Sequence, residues 1–291
     1  HAIAASMGVT GDRVRIEIDD AGASYPLVVD PLVVVDEATL VAAGAATGDA
    51  FGSAIAVSAD AAWVLVGAPG DDTPLGSDVG SARVFLRTGT TWTEQAPLSA
   101  TGLAEQDFFG CAVALTPDAS RAVVGARGVG DWEGAAFVFV RTGTTWAQEG
   151  PALTDAAFGS RDDLGWSVAI SANGDRVLIG APGYSHGTSG AGGAAVFVRS
   201  GTAWSLERVL AGAGSSDDHL GDALALRAAG DRAIFTTSRG SARFYARTAS
   251  TWALEQEILF AGFGRAVAMS GDGVRALIAG DQSTTAEVYL R

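Results

Sequence analysis

The groups in this 291-residue chain that could do chemistry are three histidines, one cysteine and 33 acidic side chains. No H-E-x-x-H pair, G-x-S-x-G elbow, Walker loop or dinucleotide fingerprint gathers them into a catalytic signature. His186 lies in "GYSHGTSGAGG" and His219 in "SSDDHLG", directly after Asp218. Two imidazoles and a carboxylate could hold zinc or copper, so His186, Asp218 and His219 are a candidate metal set. The plainer reading is two solvated loop histidines. Cys111 is the only cysteine, so no internal disulfide can form, and its apolar strand pattern fits an inert core thiol.

A second group combines aromatic rings with carboxylates: Asp71, Asp72, Asp78, Trp132, Glu133, Tyr184 and His186. An exposed ring offers contact area and the acids offer direction, which suits a sugar ring or a protein partner. These seven are the candidate ligand-binding residues. Drift in loops is the competing explanation, and the elements that carry them decide how they are placed.

Those elements repeat. Phe-Gly or Leu-Gly occurs at 51–52, 109–110, 164–165, 220–221 and 263–264, a period of 43 to 58 residues. Eleven residues past each glycine stands a large side chain: Trp63, Arg121, Arg176, Arg232 and Arg275. A constant offset means a first hairpin of constant length. Its turns read "SADAAW", "TPDASR", "SANGDR", "RAAGDR" and "SGDGVR". A second strand follows ("VLVGAP", "VLIGAP"), then a loop of variable length. The third strand carries an alanine (82, 136, 194, 242, 286), an aromatic and, in its first four copies, an arginine five residues before a tryptophan. That tryptophan opens a fourth strand. Four short antiparallel strands at this period predict a propeller blade. Strands apolar on both faces, such as "AVFV", fit blades packed on two sides. The residue after each Phe/Leu-Gly varies: Ser53, Cys111, Trp166, Asp222 and Arg265. The loops between second and third strands are long in the first three copies and short in the last two. The seven candidates fall on the long ones, so any ligand is expected over blades one to three, touching Trp132.

Phe-Gly, a hairpin, then "GAP" resembles the FG-GAP repeats of the integrin alpha-subunit propeller. The stretches "GAPGDD", "GSARVF" and "TW" are closest to the bacterial branch. The resemblance covers roughly residues 34–291. "GAP" itself survives only at 67–69 and 180–182. The resemblance implies an all-β propeller; the integrin propeller has seven blades, but the five copies here predict a five-bladed propeller of four-stranded antiparallel blades over residues 31–291, preceded by a β-hairpin or linker over 1–30. The hairpin is expected from Arg13–Asp19 and Tyr25–Asp30 across the turn "DAGAS". Leu40 precedes Phe51 by the eleven residues that separate Leu98 from Phe109, which puts Val34 opposite Trp92. Residues 33–42 are therefore expected to serve as the fourth strand of the last blade and close the ring, which would remove two open sheet edges. On that reading the sequence ends at Arg291 because the ring is complete; a piece of a larger propeller is the alternative.

The resemblance implies a non-catalytic extracellular module for recognition, adhesion or structure, binding a protein or a glycan, secreted or held at the cell surface. It also leaves room for a place within a larger surface protein or assembly. The alternative is a propeller-fold enzyme such as a glycoside hydrolase. That would need two carboxylates across a central pocket, and only Asp222 is acidic among the channel-mouth positions. No cofactor is called for. Calcium stays open, but the hairpin turns lack the integrin motif and hold one or two acidic or amide groups each, against the six to eight oxygens calcium takes. A net charge of −14, with every basic residue an arginine, argues against nucleic acid and anionic membranes. No apolar run approaches a membrane span.

Overall fold

The computed structural model describes residues 5–10, 13–18, 38–185, 190–211, 218–259, 264–280 and 286–290. The chain divides into two compact units, His1–Thr39 and Leu40–Arg291, a boundary later than the expected 30/31. In the first unit β1 (Ala5–Thr10) pairs antiparallel with β2 (Arg13–Ile18). A hairpin was expected here, but Arg13–Ile18 takes the preceding segment as its partner. Residues 25–30, the expected partner, lie outside the described residues.

The second unit is an all-β, five-bladed propeller. Blade one is β3 (Ala54–Val57), β4 (Trp63–Ala68), β5 (Ser81–Thr88) and β6 (Thr91–Glu94). Blade two is β7 (Phe109–Leu115), β8 (Arg121–Ala126), β9 (Ala135–Thr142) and β10 (Thr145–Gln148). Blade three is β11 (Ser167–Ile170), β12 (Arg176–Ala181), β13 (Gly193–Ser200) and β14 (Ala203–Ala211). Blade four is β15 (Leu224–Leu226), β16 (Arg232–Thr236), β17 (Ser241–Thr248) and β18 (Thr251–Leu259). Blade five is β19 (Gly264–Met269), β20 (Arg275–Gly280) and β21 (Ala286–Leu290). Each sheet is an antiparallel meander in chain order. Residues 33–37 of the expected closing strand lie outside the described residues, and 38–42 carry no strand. Among the described residues no helix is long and apolar enough to cross a membrane.

The first hairpins share one turn. Ser58, Thr116, Ser171 and Ser270 each donate a hydroxyl to the side chain two residues on: Asp60, Asp118, Asn173 and Asp272. That same oxygen accepts a backbone N–H two residues further along, from Ala62, Ser120, Asp175 and Val274. These acidic and amide groups therefore bind their own turns. Blade four breaks the pattern: Arg227 stands in the hydroxyl position and pairs with Asp231.

Phe/Leu-Gly and the glycine of "GAP" meet across each of the first three joints. A Cβ on Gly67 would lie 1.9 Å from the Gly110 carbonyl oxygen, one on Gly125 2.0 Å from that of Gly165, and one on Gly180 2.3 Å from that of Gly221. Only a residue without Cβ admits this approach. The backbone N–H of Phe109 donates to Val79 and that of Leu164 to Glu133, tying each blade to the one before. Apolar side chains fill the joints: Leu65 and Val84 against Phe137 and Val124, then Val123 and Val138 against Ile179 and Phe197.

A buried acid latches two joints at their outer rim. Glu149 accepts from Arg121 of its own blade and from the Trp204 indole of the next. Glu207 accepts from Arg176 of its own blade and from Arg247 and Trp252 of the next. Burial pushes the Glu207 carboxyl up, but the hydrogen bonds from Arg176, Arg247 and Trp252 outweigh it and hold the pKa at about 2. The first joint is built differently. Trp63 replaces the arginine and Gln95 the acid, and Trp146 packs edge-on to Trp63 at 6.1 Å. The Trp146 indole N–H is buried there without a hydrogen-bond partner.

The end blades show what a joint covers. Leu65, Val123, Leu178 and Ile234 occupy one position in blades one to four and are all 0 % exposed. Leu277, at the same position in blade five, is 44 % exposed, and Ile55 on the opposite side of blade one is 67 % exposed.

Two outcomes follow from these joints. Gly125→Ala should lower the thermal midpoint by at least about 6 °C, because its Cβ would meet backbone. Gly159→Ala, where a Cβ meets nothing within 4 Å, should leave it almost unchanged. The Glu207 latch makes stability depend on acid. Its folded pKa lies below the ordinary glutamate value of 4.5, so its contribution is complete above that value. It is lost as pH falls from about 4.5 toward about 2, a loss on the order of 3 kcal/mol. Urea unfolding of Glu207→Gln across pH 2.5–7 should show a flatter profile and lower stability at neutral pH. A parallel profile would remove the latch from the account.

Candidate functional site

The joint turns carry a shared backbone feature. The residue before Phe/Leu-Gly has positive φ in four blades: Ala50 at 55°, Phe108 at 54°, Asp163 at 57° and His219 at 48°. Side chains at this conformation are uncommon, and here four unlike ones are held in it. The preceding aspartates hold the turn. Asp49 accepts from the N–H of Ala46, Asp107 from Ala104 and Asp162 from Gly159, at 2.6, 2.7 and 2.8 Å. The fourth, Asp218, faces Arg239 and Arg243, and its carbonyl accepts from Ser238.

Between blades two and three this frame assembles an aromatic cage. The Arg127 guanidinium carbon lies 4.8 Å from the ring centroid of Phe108, 4.9 Å from Trp132 and 4.8 Å from Trp166. Phe108 and Trp132 also pack on each other at 5.4 Å. The four side chains come from a joint turn, the end of β8, the loop after it and the start of blade three. All are half-buried. Trp132 has φ of 62°, a costly conformation for a bulky residue. Its loop is pinned by three contacts to the next turn: Asp163 N–H to the Trp132 carbonyl, Arg161 N–H to that of Asp131, and Ser160 hydroxyl to the Asp131 carboxylate. Cation–π attraction of this kind gains strength as water is excluded. Burial raises the Asp163 pKa, against the opposing pull of Arg127.

Of the seven expected ligand residues, Trp132 sits in this cage and Glu133 is exposed beside it. The carbonyl of Asp78 accepts the N–H of Phe108, which puts Asp78 at the cage margin. Asp71 pairs with Arg83 at 2.8 Å, and Asp72 accepts the N–H of Asp78, so both acids shape their own loop. Tyr184 departs from expectation. It is 6 % exposed and packs on Phe158 at 5.0 Å, within the apolar cluster between blades two and three. His186 lies outside the described residues. Among the described residues no three His, Cys, Asp or Glu side chains converge on a metal site, and Asp218 of the metal set is engaged by arginine. Sequence reading missed Phe108, Arg127 and Asp163. Their signal was variation at fixed places: the residue before Phe/Leu-Gly, and an arginine where two other copies have the proline of "GAP".

Meanders of this kind around shared joints define a β-propeller. Residues 34–85 and 92–139 match the family model of the FG-GAP repeat, so the chain carries FG-GAP repeats in its first two blades. No curated protein matches it. Among solved structures it is similar to Kuenenia stuttgartiensis hydrazine synthase, at 12 % identity and a TM-score of 0.46, over 82 % of this chain and 83 % of that one.

Cys111 lies near the cage, with its thiol directed at the Gly165 carbonyl at 3.3 Å. Burial pushes its pKa up to about 11. Labelling by a disulfide reagent at pH 8 should run roughly a hundredfold slower than for a free thiol, and reach the free rate in denaturant. Free-thiol kinetics in the folded protein would contradict this environment.

Proposed function

We propose that the chain is a non-catalytic recognition module of the cell exterior, secreted or surface-held, that binds a glycan or a protein over blades two and three. The Arg127 cage carries this reading. Three rings from different blade segments converge on one guanidinium, and two of them, Phe108 and Trp132, stand at positive φ. A packing role alone calls for neither the strain nor the charge. Half-buried rings around a cation give a flat, amphipathic surface. Glu133 and Asp163 beside it add acceptors for hydroxyl or amide donors. The FG-GAP framework supports a recognition or structural role in general. Placement within a larger surface assembly fits the same reading.

The test is a glycan array together with pull-down from a surface extract of the source cells. Trp132→Ala and Trp166→Ala should each weaken binding by about tenfold or more. Urea midpoints should confirm that both variants remain folded. Undiminished binding by the double variant would place the site elsewhere. Turnover in a screen of glycosides and esters would replace the module with an enzyme.

A further inference from the structure

Arg127 stands where two other copies of the repeat have the proline of "GAP", Pro69 and Pro182, and where blade four has Ser238. The blade scaffold therefore asks for no charge at this position. The backbone beside it is held as in its relatives: the N–H of Gly128 donates to the Asp107 carbonyl, as that of Gly70 does to Asp49 and that of Gly183 to Asp162. What differs is the side chain alone.

Other half-buried arginines are engaged by the blades themselves. Arg83 donates to Asp71, Arg121 to Glu149 and Arg176 to Glu207. Arg141 and Arg199 donate to the first-hairpin turns of their own blades. Arg127 is held otherwise. Among the described residues no carboxylate, carbonyl or amide accepts its guanidinium hydrogens, and the ring faces of Phe108, Trp132 and Trp166 surround it. Asp163 feels its charge without pairing with it. A salt bridge would steady the cation by occupying its N–H groups. Ring faces steady it and leave those groups for an acceptor from outside. A guanidinium held in this way is a preorganised fork for a planar carboxylate.

The groups around the cation narrow the choice of carboxylate. Trp132 and Trp166 offer half-buried aromatic area against which a sugar ring can lie. Glu133, exposed beside Trp132, and Asp163, half-buried, are acceptors that suit hydroxyl donors. The net charge of −14 repels an extended polyanion, and repels one acidic unit among neutral ones far less.

We propose, on the reading of the cage as a binding surface, that Arg127 determines its specificity and that the ligand is a glycan carrying an isolated uronic acid. The uronate carboxylate accepts from the guanidinium, its pyranose ring lies against an indole, and its hydroxyls donate to Glu133 or Asp163. An acidic peptide would meet the same cation but brings no ring hydroxyls to those acceptors.

The experiment measures binding of the full chain to oligosaccharides with one uronic acid residue and to the same oligosaccharides after carboxyl reduction. Reduction turns the carboxylate into a hydroxymethyl group and keeps the ring. It should weaken binding by about tenfold or more. Arg127→Gln should bring the ratio of the two affinities close to one, and Arg127→Lys, which keeps the charge but not the fork, should retain part of it. A residue that only braced the rings would lower both affinities together and leave the ratio intact, and that result would overturn the proposal. Equal binding of acidic and reduced forms by the native chain would overturn it too, while leaving a glycan-binding module in place. Capture of acidic peptides with no glycan bound would overturn it in favour of a protein partner. Binding of neither class would remove the cage itself from the account of function.

Discussion

The approach of two glycines across each of the first three joints is the constraint from which the rest of the propeller follows. Gly67, Gly125 and Gly180 each stand where a Cβ would overlap the carbonyl of a glycine in the next blade. The first residue of the motif pair cannot carry a side chain, and the second takes a φ that favours glycine, 96° at Gly110 and 99° at Gly165. That contact sets the spacing of blades near the axis. It lets Leu65, Val123 and Leu178 reach the neighbouring sheet with no exposure. It also fixes the turn before each Phe/Leu-Gly, so one variable side chain per blade is presented from the same backbone geometry.

Much of this was legible in the residues. The eleven-residue offset reported the hairpin length, and the hydroxyl and Asp/Asn pairs that close those hairpins are ordinary turn chemistry. The glycine of "GAP" was legible because sterics repeats: the first three joints need the same glycine. The recurring aspartate before Phe/Leu-Gly was legible for the same reason, since three of the turns present the same N–H to cap. Other features had no repeat to betray them. Arg127, Phe108, Trp132 and Trp166 belong to four different positions of the unit, and nothing in their spacing says that they meet. Tyr184 looked equivalent to Trp132 as a loop aromatic. Its burial comes from packing on Phe158, a contact that no spacing in the repeat reports. The pairing of β2 with β1 was missed because residues 5–10 lack the strict alternation of 13–18.

The latch residues show how one repeat substitutes chemistry without changing geometry. Where blades two and three use Arg-Glu pairs and an indole donor, blade one uses Trp63 and Gln95. The lost charge–charge contact is replaced by an edge-on aromatic pair, and Arg141 packs over Trp63 at 4.6 Å. The replacement leaves the Trp146 N–H buried and unmet, which an acid in place of Gln95 would satisfy. The same outer rim thus accepts an ionic or an aromatic solution, provided that the tryptophan from the next blade stays.

An uneven distribution of these joints gives the molecule a gradient of cohesion along the chain. Blades two, three and four have neighbours on both sides, and two of their joints carry the buried acid. Blade five has Leu277, Val288 and Leu290 open to water, and the "GAP" glycine is replaced by Thr236 at the joint that holds it. In a nearest-neighbour array each unit is as persistent as its interfaces. Such an array would open at blade five first, exposing residues 264–280 and 286–290 to proteases and to amide exchange while the middle blades stay shut. Blades two to four would then behave as the slow core and blade five as the part that can be remodelled.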